Sequence, residues 1–247
     1  MNIAVAGGTG KVGQHVVGIA RERGHSVTSL SRSEGVDLVT GHGLDSALHS
    51  VDTVIDVASI QTLSAKASVD FFTAVTGNLL KAGKAAGIQH HVALSIVGAD
   101  KAAVGYYAGK LAQEELISHG DVSWTILRAT QFHEFATQIL ERSSAGPLAF
   151  VPRMSTQPVS AREVAAALVD AAEAGPQGRV ADLGGPRVEQ LVDMVRAYAR
   201  KTGQRKLVLG FTAPGPLWKA MRSGALIPEA DAAVGRQTFD EWLEELA

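Results

Sequence analysis

Apolar positions in the first half of the chain fall in short runs separated by amphipathic stretches. The runs at 3–6, 26–30, 36–40, 53–58, 91–95 and 123–127 read as six strands. The stretches at 11–23, 67–86 and 106–119 repeat apolar residues at helical spacing, and each stops at a glycine: Gly24, Gly87 and Gly120. Glycine ends a helix readily because it adopts the left-handed cap without strain. Strands alternating with helices predict a parallel sheet covered on both faces. Right-handed crossovers then wind it in both directions.

The C-terminal part follows another rhythm. Gly146, Pro147, Pro152 and Pro158 interrupt the pattern. Ser160-Ala161-Arg162-Glu163 reads as a capping box that opens a helix through Glu173. A helix over 188–201, a strand over 206–211 and an amphipathic end at 239–246 follow. Proline and glycine punctuate 214–228. No repeat or linker divides the chain. One NAD(P)-binding domain over 1–247 is expected, with residues from about 176 to 247 contributing most of a small substrate lobe. A cleft between sheet and lobe is the default ligand site.

Composition narrows the class. Of 247 residues, 46% are hydrophobic and 19% charged, a globular balance. Lys and Arg number 23 against 25 Asp and Glu, so no basic excess supports nucleic-acid binding. With no cysteine, disulfides, thiolate zinc sites and cysteine nucleophiles are excluded. The N-terminus lacks the basic and apolar regions of a leader, and no apolar run is long enough to span a bilayer. The expectation is a soluble, cytoplasmic protein with a small-molecule substrate, no nucleic acid and no membrane. A homodimer is the candidate assembly.

The strongest chemical signal is Gly7-Gly8-Thr9-Gly10-Lys11-Val12-Gly13, between the first strand and the first helix. Gly7 permits the tight turn, Gly10 lets a pyrophosphate approach the backbone, and Gly13 lets the helix pack on the sheet. The helix start offers free N–H groups and partial positive charge to phosphate. Thr9 and Lys11 add a hydroxyl and a cation, and Val12 its backbone N–H. A nucleotide-triphosphate loop is rejected, because that motif needs Gly and Ser or Thr where Val5 and Val12 stand. The second strand ends Ser29-Leu30-Ser31-Arg32-Ser33, with no acid before Glu34. An acid there would hold the ribose of NAD and repel a 2′-phosphate. Ser31 and Arg32 suit that phosphate, so NADP is expected over NAD.

Tyr106 and Lys110 lie one helical turn apart, and Ser95 closes the fifth strand. Strand C-termini line the ligand crevice of such sheets. Tyr106 is therefore the candidate acid/base and Ser95 the group that orients a carbonyl oxygen. Lys110 is expected to hold the nicotinamide ribose and, together with the positive ring of oxidised cofactor, to lower the phenol pKa by stabilising the phenolate. A core tyrosine beside a solvated lysine is the bland alternative.

Together these residues resemble the short-chain dehydrogenase/reductase superfamily, closest to its atypical or extended, NmrA-like NAD(P)H-binding branch. The residues that carry the likeness are the glycine turn, Ser31-Arg32, Asp56-Val57-Ala58-Ser59, Ser95, Tyr106–Lys110 and the helix at 76–87. The likeness covers residues 1 to about 175. It implies a Rossmann-type sheet of about seven strands. It also implies that Asp37 and Leu38 lie beside adenine, Ala58 and Ser59 near the adenine ribose, and 129–135 past the nicotinamide. The helical Asn of the standard tetrad is missing, with Phe72 near its place. NmrA-like sensors often lack the tyrosine that this chain keeps.

The expected activity is NADP(H)-dependent hydride transfer to or from a small carbonyl-type substrate. The alternatives are a non-catalytic dinucleotide sensor and a sugar-nucleotide epimerase or dehydratase. Other features carry less. His133-Glu134 lacks the second histidine of a zinc protease, and either residue is a candidate for facing the substrate. His90-His91 reads as a loop pair. Phe211, Trp218 and Met221 are pocket or core.

Overall fold

The computed structural model describes residues 1–246. It divides into two compact units, one of residues 1–128 and 161–181, the other of 129–160 and 182–246.

In the first unit, in chain order, come β1 (Asn2–Ala6), α1 (Lys11–Glu22), β2 (Ser26–Leu30), the short α2 (Leu44–Ala47), β3 (Thr53–Asp56), α3 (Ala65–Ala86), β4 (His90–Ile96), α4 (Tyr106–Ser118) and β5 (Trp124–Ala129). The strands are parallel, in the order β5-β4-β3-β1-β2. Ile3, Val5, Ile55 and Val92 have no exposed surface, as expected of strands covered on both faces. On one side α1 packs against a helix that returns later in the chain, numbered α6 below. On the other, α3 packs against α4. The doubly wound parallel architecture expected from the sequence is present. Strand order reverses between β1 and β3, which makes their C-terminal ends the switch point where such folds bind ligands.

The second unit holds α5 (Phe135–Ser143), β6 (Ser144–Ala145), β7 (Leu148–Pro152) and β8 (Ser155–Thr156). The chain then returns to the first unit for α6 (Ala161–Ala174) and β9 (Gly178–Arg179), which pairs with β5. Back in the second unit come β10 (Leu183–Gly184), β11 (Glu189–Gln190), α7 (Leu191–Lys201), β12 (Leu207–Phe211), α8 (Pro216–Ser223), β13 (Ala233–Val234) and α9 (Phe239–Glu244). Ala129, the last residue of β5, belongs here and pairs with Leu183, and β10 pairs in turn with β13. A separate small sheet runs β12-β7-β6.

Three local expectations are corrected. Residues 36–40 form no strand. Asp37 Oδ1 accepts from the N–H groups of Val39 and Thr40, and Asn78 holds the Leu38 and Val39 carbonyls. Local side-chain bonds outcompete a strand ladder there. His90 and His91 are buried in β4 rather than in a loop. His90 Nε2 lies 2.8 Å from Thr125 Oγ1. His133 has no exposed surface, and its ring packs 5.9 Å from those of Phe239 and Trp242. Burial pushes its pKa down to about 4. It is a core histidine of the second unit.

The contact of α3 with α4 depends on Gly109. A Cβ there would collide with Ser68 Oγ and lie 2.6 Å from both Ser68 C and Phe72 Cδ2. Gly109→Ala is expected to destabilise the protein by about 3 kcal/mol, or roughly 6–12 °C in Tm. A calorimetric melt indistinguishable from wild type would refute this close-packing account.

Candidate functional site

The turn after β1 leaves little room for side chains. Gly7 has φ +81°. A Cβ on Gly13 would drive into the Gly7 carbonyl oxygen and stand 2.7 Å from Gly8 Cα. Its absence lets α1 begin directly against the turn. Gly10 is exposed, and only Gly7 O, at 3.2 Å, lies close to its missing side chain. No side chain caps α1, and its first turn carries no acid. The unsatisfied N–H groups and positive dipole end of that helix are what a phosphate needs. A dinucleotide pyrophosphate fits this cradle. Thr9 and Lys11 flank it exposed, and the Val12 side chain is buried below.

At the end of β2, Ser31 Oγ lies 2.9 Å from Ser33 Oγ. Arg32 opens a single 3-10 turn and is exposed, with no ion-pair partner among the described residues. Asp37 and Leu38 stand in the turn held by Asn78, so the Asp37 carboxylate already serves the backbone.

The segment after β3 touches the glycine turn. Gly7's missing Cβ would lie 3.0 Å from Ala58 Cα and N. Ala58 N donates to Asp56 Oδ1 at 3.0 Å, which ends β3 two residues before the expected 58. Ser59 follows, exposed, and its Oγ lies 3.1 Å from Tyr106 Oη. Tyr106 is the first residue of α4. Its carbonyl accepts from Ser68 Oγ at 3.0 Å, and its ring stands edge-on to Phe72 at 5.5 Å. Burial pushes the phenol up to about 12; the Asp56 charge adds to this and the Ser59 hydrogen bond partly opposes it. The sequence suggested a lowered phenol, and here it is raised instead.

Lys110 does not offset this rise. It is only 3% exposed, and its ammonium is turned inward. It donates to Leu94 O at 2.6 Å and Gln113 Oε1 at 2.7 Å, and stands 4.4 Å over the Phe72 ring. Burial pushes its pKa down to about 8, against the opposing charges of Asp56 and Glu114. Ser95 is also committed elsewhere. Its hydroxyl donates to Glu114 Oε1 at 2.5 Å. Arg128 grips both oxygens of Glu114, at 2.8 and 2.6 Å, and reaches Asp100 at 2.9 Å. The structure pairs Tyr106 with Ser59 and not with the expected Ser95.

Sequence reasoning did not single out Gln113, Glu114 or Arg128. Weak signals existed: Gln113 and Glu114 follow Lys110 by three and four positions on one helix face, and Arg128 is a charge within an apolar strand. No helix among the described residues is long and apolar enough to cross a membrane. No cluster of three or more potential metal ligands occurs among them.

With this geometry in place, comparison with known proteins identifies the family. The chain belongs to the NAD(P)H-binding family, which it matches over residues 7–174. It is similar to the photosystem II assembly factor Ycf39 of Synechocystis, at 29% identity over 195 residues, or 69% of this chain and 59% of that protein. This chain thus spans less than two thirds of that relative. Among solved structures it is similar to an Escherichia coli NADPH-dependent quinone oxidoreductase complexed with NADPH, with TM-score 0.74, 18% identity and 99% of each chain covered. It is also similar to a short-chain dehydrogenase/reductase superfamily protein of Agrobacterium tumefaciens with bound NAD. That match has TM-score 0.69 and 20% identity and covers 99% and 95% of the chains. At these identities the two structures speak for the Rossmann-type fold. One holds NADPH and the other NAD, so they do not separate the two cofactors.

Proposed function

We propose that the protein is an NADP(H)-dependent oxidoreductase that moves a hydride to or from a small carbonyl-type substrate. The observation that carries this reading is the Tyr106 hydroxyl, 3.1 Å from Ser59 on a segment whose Ala58 abuts the glycine turn. A proton-bearing group thus stands beside a phosphate cradle.

In this reading Gly7, Thr9, Gly10, Lys11, Val12 and Gly13 hold the pyrophosphate. Ser31 and Arg32 hold the 2′-phosphate, Asp37 and Leu38 border the adenine, and Ala58 and Ser59 border the adenine ribose. When bound, the nicotinamide supplies or accepts the hydride. Tyr106, with its pKa near 12, stays a neutral phenol at neutral pH and donates a proton to the carbonyl oxygen during reduction. Ser59 holds the phenol in place. Lys110 acts from behind, through Gln113, and Ser95 is held by Glu114.

One observation favours a second reading. Ser95 and Lys110 spend their hydrogen bonds inside the protein, as a dinucleotide-responsive regulator without turnover allows. NADPH oxidation against aldehydes, ketones and quinones separates the two, with NADH in parallel and binding titrated independently. Turnover supports the oxidoreductase; saturable NADPH binding without turnover across the panel favours the regulator.

Cofactor choice has its own test. Arg32→Ala is expected to weaken NADPH binding by about 10–100-fold, the worth of a charge-assisted bond, and to leave NADH binding unchanged. Fluorescence titration checks this. Equal losses for both cofactors would remove Arg32 from the 2′-phosphate.

A further inference from the structure

We infer that Gln113 is a positioning residue for the Tyr106 hydroxyl, acting through Asp56 and the Ala58–Ser59 segment. The inference rests on the reading of Tyr106 as the proton donor.

Two charged groups, Lys110 and Asp56, are buried beneath the site without touching one another through a direct bond. Asp56 has no exposed surface, Gln113 1% and Lys110 3%. Gln113 joins them. Its Oε1 accepts from Lys110 Nζ at 2.7 Å, and its Nε2 donates to Asp56 Oδ2 at 2.9 Å. The orientation of the amide is set by its neighbours, since a flipped amide would face N–H to an ammonium and oxygen to a carboxylate. Asp56 uses its other oxygen to hold Ala58 N–H. Ala58 abuts Gly7, and Ser59, the next residue, holds the Tyr106 hydroxyl.

The links form a closed circuit. Tyr106 and Lys110 are one turn apart on α4. From Lys110 the circuit runs through Gln113 and Asp56 to Ala58, then along the chain to Ser59 and back to Tyr106. Leu94 O in β4 anchors the ammonium. Bridging an ammonium and a carboxylate takes a side chain with both an acceptor and a donor, and the Gln113 amide supplies the two. His91 Nε2, 4.0 Å from Asp56 Oδ2, is too distant to replace it. Without the bridge, Asp56 loses a partner in a setting where unpaired charge is costly. The segment that orients Tyr106 then has slack, and small misplacements of reacting groups cost large factors in rate.

The test uses Gln113→Glu, Asp56→Asn and the double variant in the full chain. Gln113→Glu still accepts from Lys110 but sets a carboxylate against Asp56. The double variant restores a bridge of reversed polarity, because an amide at 56 can donate to a carboxylate at 113 while still accepting from Ala58 N–H. Gln113→Glu is expected to lower kcat about tenfold or more, with NADPH affinity little changed. Amide exchange at Ala58 is expected to quicken by about five- to tenfold, with exchange in β1 and β4 unaltered. The double variant should recover most of both losses. If Gln113→Glu does not fold, recovery of folding in the double variant is the same rescue.

Wild-type exchange at Ala58 in folded Gln113→Glu, or a double variant no better than the single, would overturn the inference. Tyr106→Phe is run alongside. Full turnover in that variant removes Tyr106 as proton donor and with it the inferred role of Gln113, whatever the exchange shows. Collapse of Tyr106→Phe with Gln113→Glu unaffected removes Gln113 alone.

Discussion

Tyr106→Phe is expected to lower the rate of NADPH-dependent reduction by roughly 10²–10⁴, the usual worth of a positioned general acid. NADPH binding should survive. The variant keeps the ring, its edge contacts with Phe72 at 5.5 Å and Tyr107 at 6.5 Å, and the helix start. It removes one hydroxyl and leaves exposed Ser59 without that partner, a loss of about 1 kcal/mol at most. A fall in kcat without a fall in stability would therefore report chemistry. The pH dependence adds a second check. A group of folded pKa about 12 keeps its proton through the neutral and moderately alkaline range. Reduction should show no alkaline loss traceable to Tyr106 below about pH 10. Initial rates across pH for both proteins measure this. Unchanged turnover in the variant would point to direct hydride transfer with no protein acid.

Gly13→Ala should abolish measurable NADPH binding, with affinity down at least about a hundredfold, and should cost about 3 kcal/mol of stability. The added methyl meets backbone: the Gly7 carbonyl oxygen, Gly8 Cα at 2.7 Å and Gly7 C at 2.8 Å. Backbone cannot swing aside as the end of a side chain can. Either α1 withdraws from the turn or the turn itself moves, and both spoil the cradle. Gly18→Ala, in the same helix, is the control. Nothing lies within 4 Å of its missing Cβ, so this change should be neutral or stabilising by up to about 1 kcal/mol. Titration and melting of the two variants together test the claim. NADPH binding retained in Gly13→Ala would mean the turn is not a dinucleotide cradle.

Much of the fold was legible in the pattern of the chain. β2 begins and ends where its apolar run does, and α1, α3 and α4 stop within a residue of their expected ends. Long periodic elements bury one stripe or run, and the stripe is written in local order. The failures were of another kind. The run at 36–40 looks like a strand, but Asp37 and Asn78 bind its backbone first, and Asn78 lies forty residues away. α5 and the short strands of the second unit are too brief or too weakly patterned to stand out.

By itself, the sequence determined most strands and helices of the first unit, the glycine turn and the absence of an acid at the end of β2. These depend on neighbours within a few positions, through backbone sterics and helix-end electrostatics. Only the tertiary structure decided the company kept by each polar side chain. Tyr106 meets Ser59 from 47 positions away, Ser95 meets Glu114 and Arg128, and Lys110 turns inward to Leu94 and Gln113. Most buried donors find an acceptor, and which acceptor is in reach is set by how helices and strands pack, not by spacing along the chain.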